Sequence, residues 1–301
     1  MDKLFAKLKY HARLLVQIGF TVLTNGNLRG FYEGKIYRGN GKTVCLPGLN
    51  CYSCPGALGA CPIGSLQAVA NSKKWNVSYY VVGLLVVIGA LLGRFVCGWL
   101  CPFGLVEDLV HKIPFFKKVK TLPGERFLRY LRYVVLGVLV LALPMLLKND
   151  FGTGSPWFCK LMCPSGTLLA GIPLTLRNPL LASQTGLLFW WKIGVLAAIL
   201  LLSLYVWRPF CRYLCPLGAI YGLFNPVAAV RFRIEKDKCT SCGACKRACK
   251  MDIATFVTPN SMDCVRCGDC MRACPTHAIH TTLSREACRA KETGDMEQSE
   301  A

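Results

Sequence analysis

The sequence predicts an all-α membrane bundle of about four transmembrane helices in two tandem halves, followed by a C-terminal α+β two-cluster ferredoxin module of bacterial type. Three observations predict it: apolar segments of spanning length, a Cys-x3-Cys-Pro signature recurring at their ends, and two dense cysteine runs between Cys239 and Cys274. Hydrophobic residues make up 53% of the chain, which excludes a simple soluble ferredoxin. A formal net charge of +20 would raise the question of nucleic acid in a soluble chain. Here the Lys and Arg residues lie mainly beside apolar segments, where the positive-inside rule accounts for them, and no nucleic-acid partner is expected.

A bilayer core of roughly 30 Å needs about 20 helical residues to cross it. The first candidate span, Leu14 to Leu28, is short and carries Gln17, Thr21, Thr24 and Asn25. Its basic start (Lys3, Lys7, Lys9, Arg13) would suit a signal peptide or an interfacial helix, but no small-residue cleavage site follows. An uncleaved first span is the expectation. The next three are Val77 to Val96, Tyr130 to Leu147 with a bend near Pro144, and Leu187 to Trp207. Between the second and third lie Lys112, Lys117, Lys118, Lys120, Arg126, Arg129 and Arg132, which assigns that stretch to the cytoplasm. Lys148 to Gly186 is poorer in cations and is expected outside, although the loop Arg29 to Lys74 also holds basic residues. Both the N-terminus and the ferredoxin module then lie inside, in a multi-pass protein of the cytoplasmic (inner) membrane.

Cys97-Gly-Trp-Leu-Cys101-Pro-Phe-Gly follows the second span and Cys211-Arg-Tyr-Leu-Cys215-Pro-Leu-Gly the fourth, with Arg94 and Arg208 at matching positions before them. A spacing of four puts both thiols on one face of a helix end. Proline then stops the helix and glycine lets the chain turn closely. Two such pairs supply four thiolates, an inner [4Fe–4S] ligand set of Cys97, Cys101, Cys211 and Cys215, and its neighbouring arginines favour the reduced form. Cys159-Lys-Leu-Met-Cys163-Pro-Ser-Gly and Cys61-Pro-Ile-Gly repeat the signature on the other side. Repeat logic assigns an outer cluster to Cys54, Cys61, Cys159 and Cys163. Three uses stay open for Cys45 and Cys51: a disulfide, replacement of Cys54 as ligand, or a share in a second outer cluster.

The module is read from its spacing. Cys239-Cys242-Cys245-Cys249 and Cys264-Cys267-Cys270-Cys274 are two C-x2-C-x2-C-x3-C runs, in each of which the fourth cysteine ligates the other cluster. One [4Fe–4S] cluster takes Cys239, Cys242, Cys245 and Cys274; the second takes Cys264, Cys267, Cys270 and Cys249. Zinc would prefer separated C-x2-C pairs. Lys250 stands where such ferredoxins usually carry proline. Residues 1–230 therefore form the membrane domain with one to two clusters, 231–285 the ferredoxin domain with two, and 286–301 a polar tail expected to be disordered, with Cys288 a bystander. His277 and His280 belong to the closing turn and strand.

The paired C-x3-C-P motifs, Tyr221-Gly-Leu after Cys215, and the eight ferredoxin cysteines resemble those of the membrane polyferredoxins, from about Leu14 to Ile279. That family includes the quinol-dehydrogenase membrane subunit of periplasmic nitrate reduction and the membrane iron–sulfur flavoprotein of nitrous-oxide reduction. The resemblance implies four spans, cytoplasmic clusters and electron exchange with a periplasmic or membrane partner. The outer cysteines depart from the nitrate-type members and favour an all-cluster path. The resulting expectation is an electron-transfer subunit linking a cytoplasmic low-potential ferredoxin or flavoprotein donor to an outer-face redox partner, one able to carry the flavin this chain lacks. Two alternatives stand beside it. One is a quinol-oxidising membrane subunit, for which His11 and His111 are the placed histidines. The other is a copper reductase or assembly factor using Cys45, Cys51 and Met162. No catalytic set beyond the clusters is expected.

Overall fold

A computed structural model of the chain describes residues 2–70, 79–114, 117–147 and 154–282, with side chains from Ala12 onward. Cys288, the tail from 286 and the side chain of His11 lie outside the described residues. Among the described residues, two helices are long and apolar enough to cross a membrane, Glu125–Leu146 and Leu187–Tyr205; Ala12–Thr24 and Tyr79–Leu92 are shorter apolar helices. The second expected span ends early because Gly93 takes a left-handed conformation (φ 52), after which the short helix Phe95–Trp99 carries Cys97. In the third, the expected bend takes the form of a π-helical stretch, Val135–Ala142, running into Leu143–Leu146 with Pro144. Such widened turns are one way a helix absorbs an interrupted hydrogen-bond ladder.

The helices that follow the cysteine–proline turns do not leave the bundle. Pro62–Ala70 folds back on Tyr79–Leu92, and Pro164–Gly166 on Leu187–Tyr205. On the other side the halves trade places: Pro102–His111 packs on the second half's Leu187–Tyr205, and Pro216–Phe224 on the first half's Tyr79–Leu92. Two fully buried arginines repeat the exchange. Arg94 donates to the Cys211 carbonyl at 2.8 Å, and Arg208 donates to the Cys97 carbonyl. Each spends its guanidinium on the other half's cysteine turn, a reciprocity that makes the tandem halves visible as a pseudo-two-fold. Their counter-ions differ. Asp108 accepts from Arg208 Nε at 2.9 Å and Nη2 at 2.6 Å and from Trp207 Nε1 at 2.7 Å. Arg94 instead donates to the Met262 carbonyl at 3.2 Å and lies 3.9 Å from Asp263, both from the ferredoxin module.

The module is closed by antiparallel strands Phe232–Ile234 and Ile279–Thr281, with Arg233 opposite His280; His277 occupies the preceding turn at φ 50. Its second cysteine run lies on the bundle. Asp263 accepts from Arg129 at 2.7 Å and from Arg132. Trp99 Nε1 donates to the Arg266 carbonyl at 3.0 Å, and Arg266 returns a bond to the Leu92 carbonyl at 2.7 Å. Lys250, the residue in place of proline, sits 3.3 Å from Asp269 and 5.5 Å from the centre of the Trp207 ring, a cation–π strap between module and bundle. Two glycines admit this docking. A Cβ at Gly98 would overlap the Val265 carbonyl oxygen, and one at Gly222 would come within 2.9 Å of the Met262 carbonyl oxygen.

Candidate iron–sulfur centres

Three of the four cysteine–proline turns share one local device. Cys101, Cys163 and Cys215 are the N-cap residues of helices that begin with proline, and their sulfurs accept from the amides of Gly104, Gly166 and Gly218 at 3.5, 3.4 and 3.4 Å. Proline at the first helical position gives up no amide that the helix needs, and the glycine amide three residues on faces the cap. The amides and the positive helix end favour a thiolate there. Cys61, before Pro62, faces the Gly64 amide in the same way.

The inner four cysteines come together. Cys97, Cys101, Cys211 and Cys215 are all buried, the Cys101 and Cys211 thiols are in hydrogen-bonding contact, and Cys215 lies in the field of both Cys97 and Cys101. Arg94 and Arg208 face Cys97 as expected; Arg212 turns away, to the Lys120 carbonyl at 2.8 Å and Glu125. Their donor set suits an iron–sulfur cluster: four sulfurs converge, with backbone amides from Gly104, Gly218 and Leu49 directed at them.

On the other side, Cys51, Cys61, Cys159 and Cys163 line one cavity of about 400 Å³, with Asn50, Ser165 and Lys192 among its walls. A Cβ at Gly166 would lie 3.6 Å from the sulfurs of both Cys51 and Cys163. Cys54, assigned by repeat logic, is not among the lining residues; its thiol faces Asn25 Oδ1 at 3.7 Å. Cys45 faces Ser65 Oγ at 3.4 Å. The reason is local. Position 57, four before Cys61, is a buried alanine where the second half has Cys159, so the loop supplies a sulfur from farther back.

In the module, Cys239, Cys242, Cys245 and Cys274 line one small cavity. Cys270 lies in the combined field of Cys264, Cys267 and Cys249. The fourth cysteine of each run is thus brought to the other run.

A 4Fe-4S binding domain model matches residues 77–123 and 187–235, the two stretches that hold the inner cysteines, and a second 4Fe-4S binding domain model matches 257–280. An uncharacterised protein of Methanocaldococcus jannaschii is 33% identical over 178 residues, 56% of this chain and 64% of its own length. The methylamine utilization ferredoxin-type protein MauN of Methylorubrum extorquens is 31% identical over 195 residues, 64% of this chain and 55% of its own. The ferredoxin-type protein NapH of Haemophilus influenzae is 27% identical over 175 residues, 55% and 51% of the two chains. The chain is similar to the ferredoxin-type polyferredoxin membrane proteins. It spans between about half and just under two thirds of these relatives' length. No solved structure matches it. These matches support an iron–sulfur electron-transfer role, and the two apolar helices together with the membrane relatives suggest membrane association.

The spacing of the two cysteine sets also departs from the sequence expectation. Two cysteine sets at opposite faces should stand a bilayer apart, yet the Leu49 amide donates to the inner Cys101 thiol while Cys51, two residues on, lines the outer cavity. Two residues of chain reach about 7 Å at most. Tyr221 fills the space between the sets, its hydroxyl 3.0 Å from the Pro47 carbonyl and in the field of Cys61 on one side and Cys97, Cys101 and Cys215 on the other. The sets still lie at successive depths: Lys192 near the start of Leu187–Tyr205 lines the outer cavity, and Arg208 just past its end touches the inner site.

Burial governs the free thiols. It pushes Cys61 up to about 12 and Cys159 to about 11, and raises Cys163 well above the usual thiol value, each helped by neighbouring thiols. Cys242, on the surface of the module, is lowered by the Ala244 amide. Residues the sequence reading missed are Asn50, Glu107, Asp108 and Asp263. Glu107 is buried, accepts from the Phe210 amide at 2.8 Å and is pushed up to about 7 by burial. A signal for these residues existed in the repeat: a fully buried arginine before each cysteine pair needs an anion, and Asp108 and Asp263 supply them. His111 Nδ1 is 2.9 Å from the Ser203 carbonyl.

Proposed function

We propose that the chain is a multi-pass electron conduit with four [4Fe–4S] sites in a row. In order these are Cys239/Cys242/Cys245/Cys274, Cys249/Cys264/Cys267/Cys270, Cys97/Cys101/Cys211/Cys215 and Cys51/Cys61/Cys159/Cys163. A [4Fe–4S] cluster supplies one-electron exchange when bound. The chain's part is to hold the sites close, bury them and set their potentials. On this reading the module faces the cytoplasm and a low-potential ferredoxin or flavoprotein donor, and the outer cavity serves an outer-face redox partner. The observation that carries the reading is the seating of Val265 on Gly98, which puts the module's second cysteine run against the helix bearing Cys97.

Iron and acid-labile sulfide counts on anaerobically purified protein test it. About sixteen irons per chain are expected. Cys51→Ser should lose about four of them and Cys54→Ser none, because Cys51 lines the outer cavity and Cys54 does not. Cys101→Ala or Cys215→Ala should abolish one EPR signal and stop electron flow across vesicle membranes. Flow that persists in both variants would remove the inner site from the path, and equal iron loss from Cys51→Ser and Cys54→Ser would undo the outer assignment.

A further inference from the structure

We infer that the Asn50 side-chain amide donates a hydrogen bond to a sulfur of the cluster held by Cys51, Cys61, Cys159 and Cys163, and so raises that cluster's reduction potential. The inference rests on the reading of the outer cavity as a cluster site. Asn50 is 1% exposed and lines that cavity, and neither its Nδ2 nor its Oδ1 has a hydrogen-bond partner in the protein. Two neighbouring polar side chains, Ser165 and Gln67, are engaged. Ser165 Oγ faces the Leu49 carbonyl at 3.4 Å. Gln67 donates to Cys159 Sγ at 3.3 Å and accepts from the Phe158 amide at 3.1 Å.

A buried carboxamide without a partner is costly, and a chain that keeps one needs a partner for it inside the cavity. Four thiol sulfurs face this one. The side-chain amide brings two N–H donors, and cluster sulfides and ligand thiolates are acceptors. A hydrogen bond to sulfur draws charge from the cluster and stabilises its reduced form. Asn50 lies between Leu49, which bonds the inner Cys101 thiol, and Cys51. Its donation therefore acts on the outer member of the adjacent pair and sets the potential step between the two.

EPR-monitored redox titration of the full chain, purified anaerobically in detergent, reads the effect. Asn50→Leu should keep the irons and move one midpoint to a more negative potential. Asn50→Asp, which replaces the donor with an anion, should move the same midpoint further, with the other three unchanged. In protein carrying ¹⁵N at its asparagine amides, the same EPR signal should show a ¹⁵N hyperfine coupling that Asn50→Leu abolishes. Unchanged midpoints in iron-replete variants would overturn the inference. Were the variants not to load iron, absence of the ¹⁵N coupling in the otherwise unaltered chain would overturn it as well. A chain without the outer cluster's irons would instead mark failure of the cluster reading itself.

Discussion

Asp263→Ala should loosen the module from the bundle without unloading either. Asp263 is a carboxylate shared by Arg94, Arg129 and Arg132, of which Arg94 and Arg132 are almost wholly buried. Its removal leaves each guanidinium with other acceptors: Cys211 and Met262 carbonyls for Arg94, Glu125 and the Met251 carbonyl for Arg129, the Arg212 carbonyl for Arg132. The charge, however, is no longer balanced. Breaking a buried ion pair costs about 3–5 kcal/mol. With the Asp263 side chain 14% exposed and the arginines partly satisfied elsewhere, the lower end, about 3 kcal/mol, applies. At about 1.4 kcal/mol per tenfold, that weakens docking on the order of a hundredfold. Freeze-quench EPR after reduction of the module should show the inner signal appearing correspondingly late, with all signals present at equilibrium. Unchanged kinetics would refute the argument. The same carboxylate gives docking a pH dependence. Burial pushes it up, but Arg132, Arg94 and Arg129 outweigh burial and hold it below the usual aspartate value. A depressed value means the contribution is full above about pH 4 and fades as pH falls through the lower folded value. Asp263→Ala should abolish that acid limb.

Gly98→Val should also slow transfer from module to inner site, since its Cβ overlaps the Val265 carbonyl oxygen; iron content and the isolated module signals should stay unchanged, and an unaltered rate would contradict close seating there. In cluster-free protein at neutral pH, a thiol-alkylating reagent should modify Cys242 first and Cys61, Cys159 and Cys163 last, with Cys61 and Cys159 reacting only as pH rises towards 11 to 12. Peptide mapping reads the order, and early labelling of Cys61 would show the cavity more open to water than the fold allows.

Much of the design could be read from local rules. The cysteine runs, the Cys-Pro-x-Gly caps and the matched Arg94 and Arg208 each depend on neighbours within a turn or two, and spacing alone encodes them. That Cys51 and not Cys54 lines the outer cavity could not be read that way. It depends on how an irregular loop folds against Gly166, more than a hundred residues away. The closeness of the two membrane sites was hidden for a related reason. Hydropathy orders segments along the chain, but it does not show that Pro62–Ala70 and Pro164–Gly166 double back and carry their cysteines inward. Lys250 read as a departure because proline is judged by its own loop, whereas its role is contact with Trp207 and Asp269.

The crossed placement of Arg94 and Arg208 bears on how the protein matures. Until the later half has been synthesised and inserted, Arg94 has no Cys211 carbonyl to receive it, and Cys97 and Cys101 have only half a ligand set. On the four-site reading proposed above, metallation of the inner site waits on the segment that brings Cys211 and Cys215, and the first half on its own would be a poor substrate for the machinery that delivers iron and sulfide. Severing the gene between the repeats should leave two fragments that mature only when produced together.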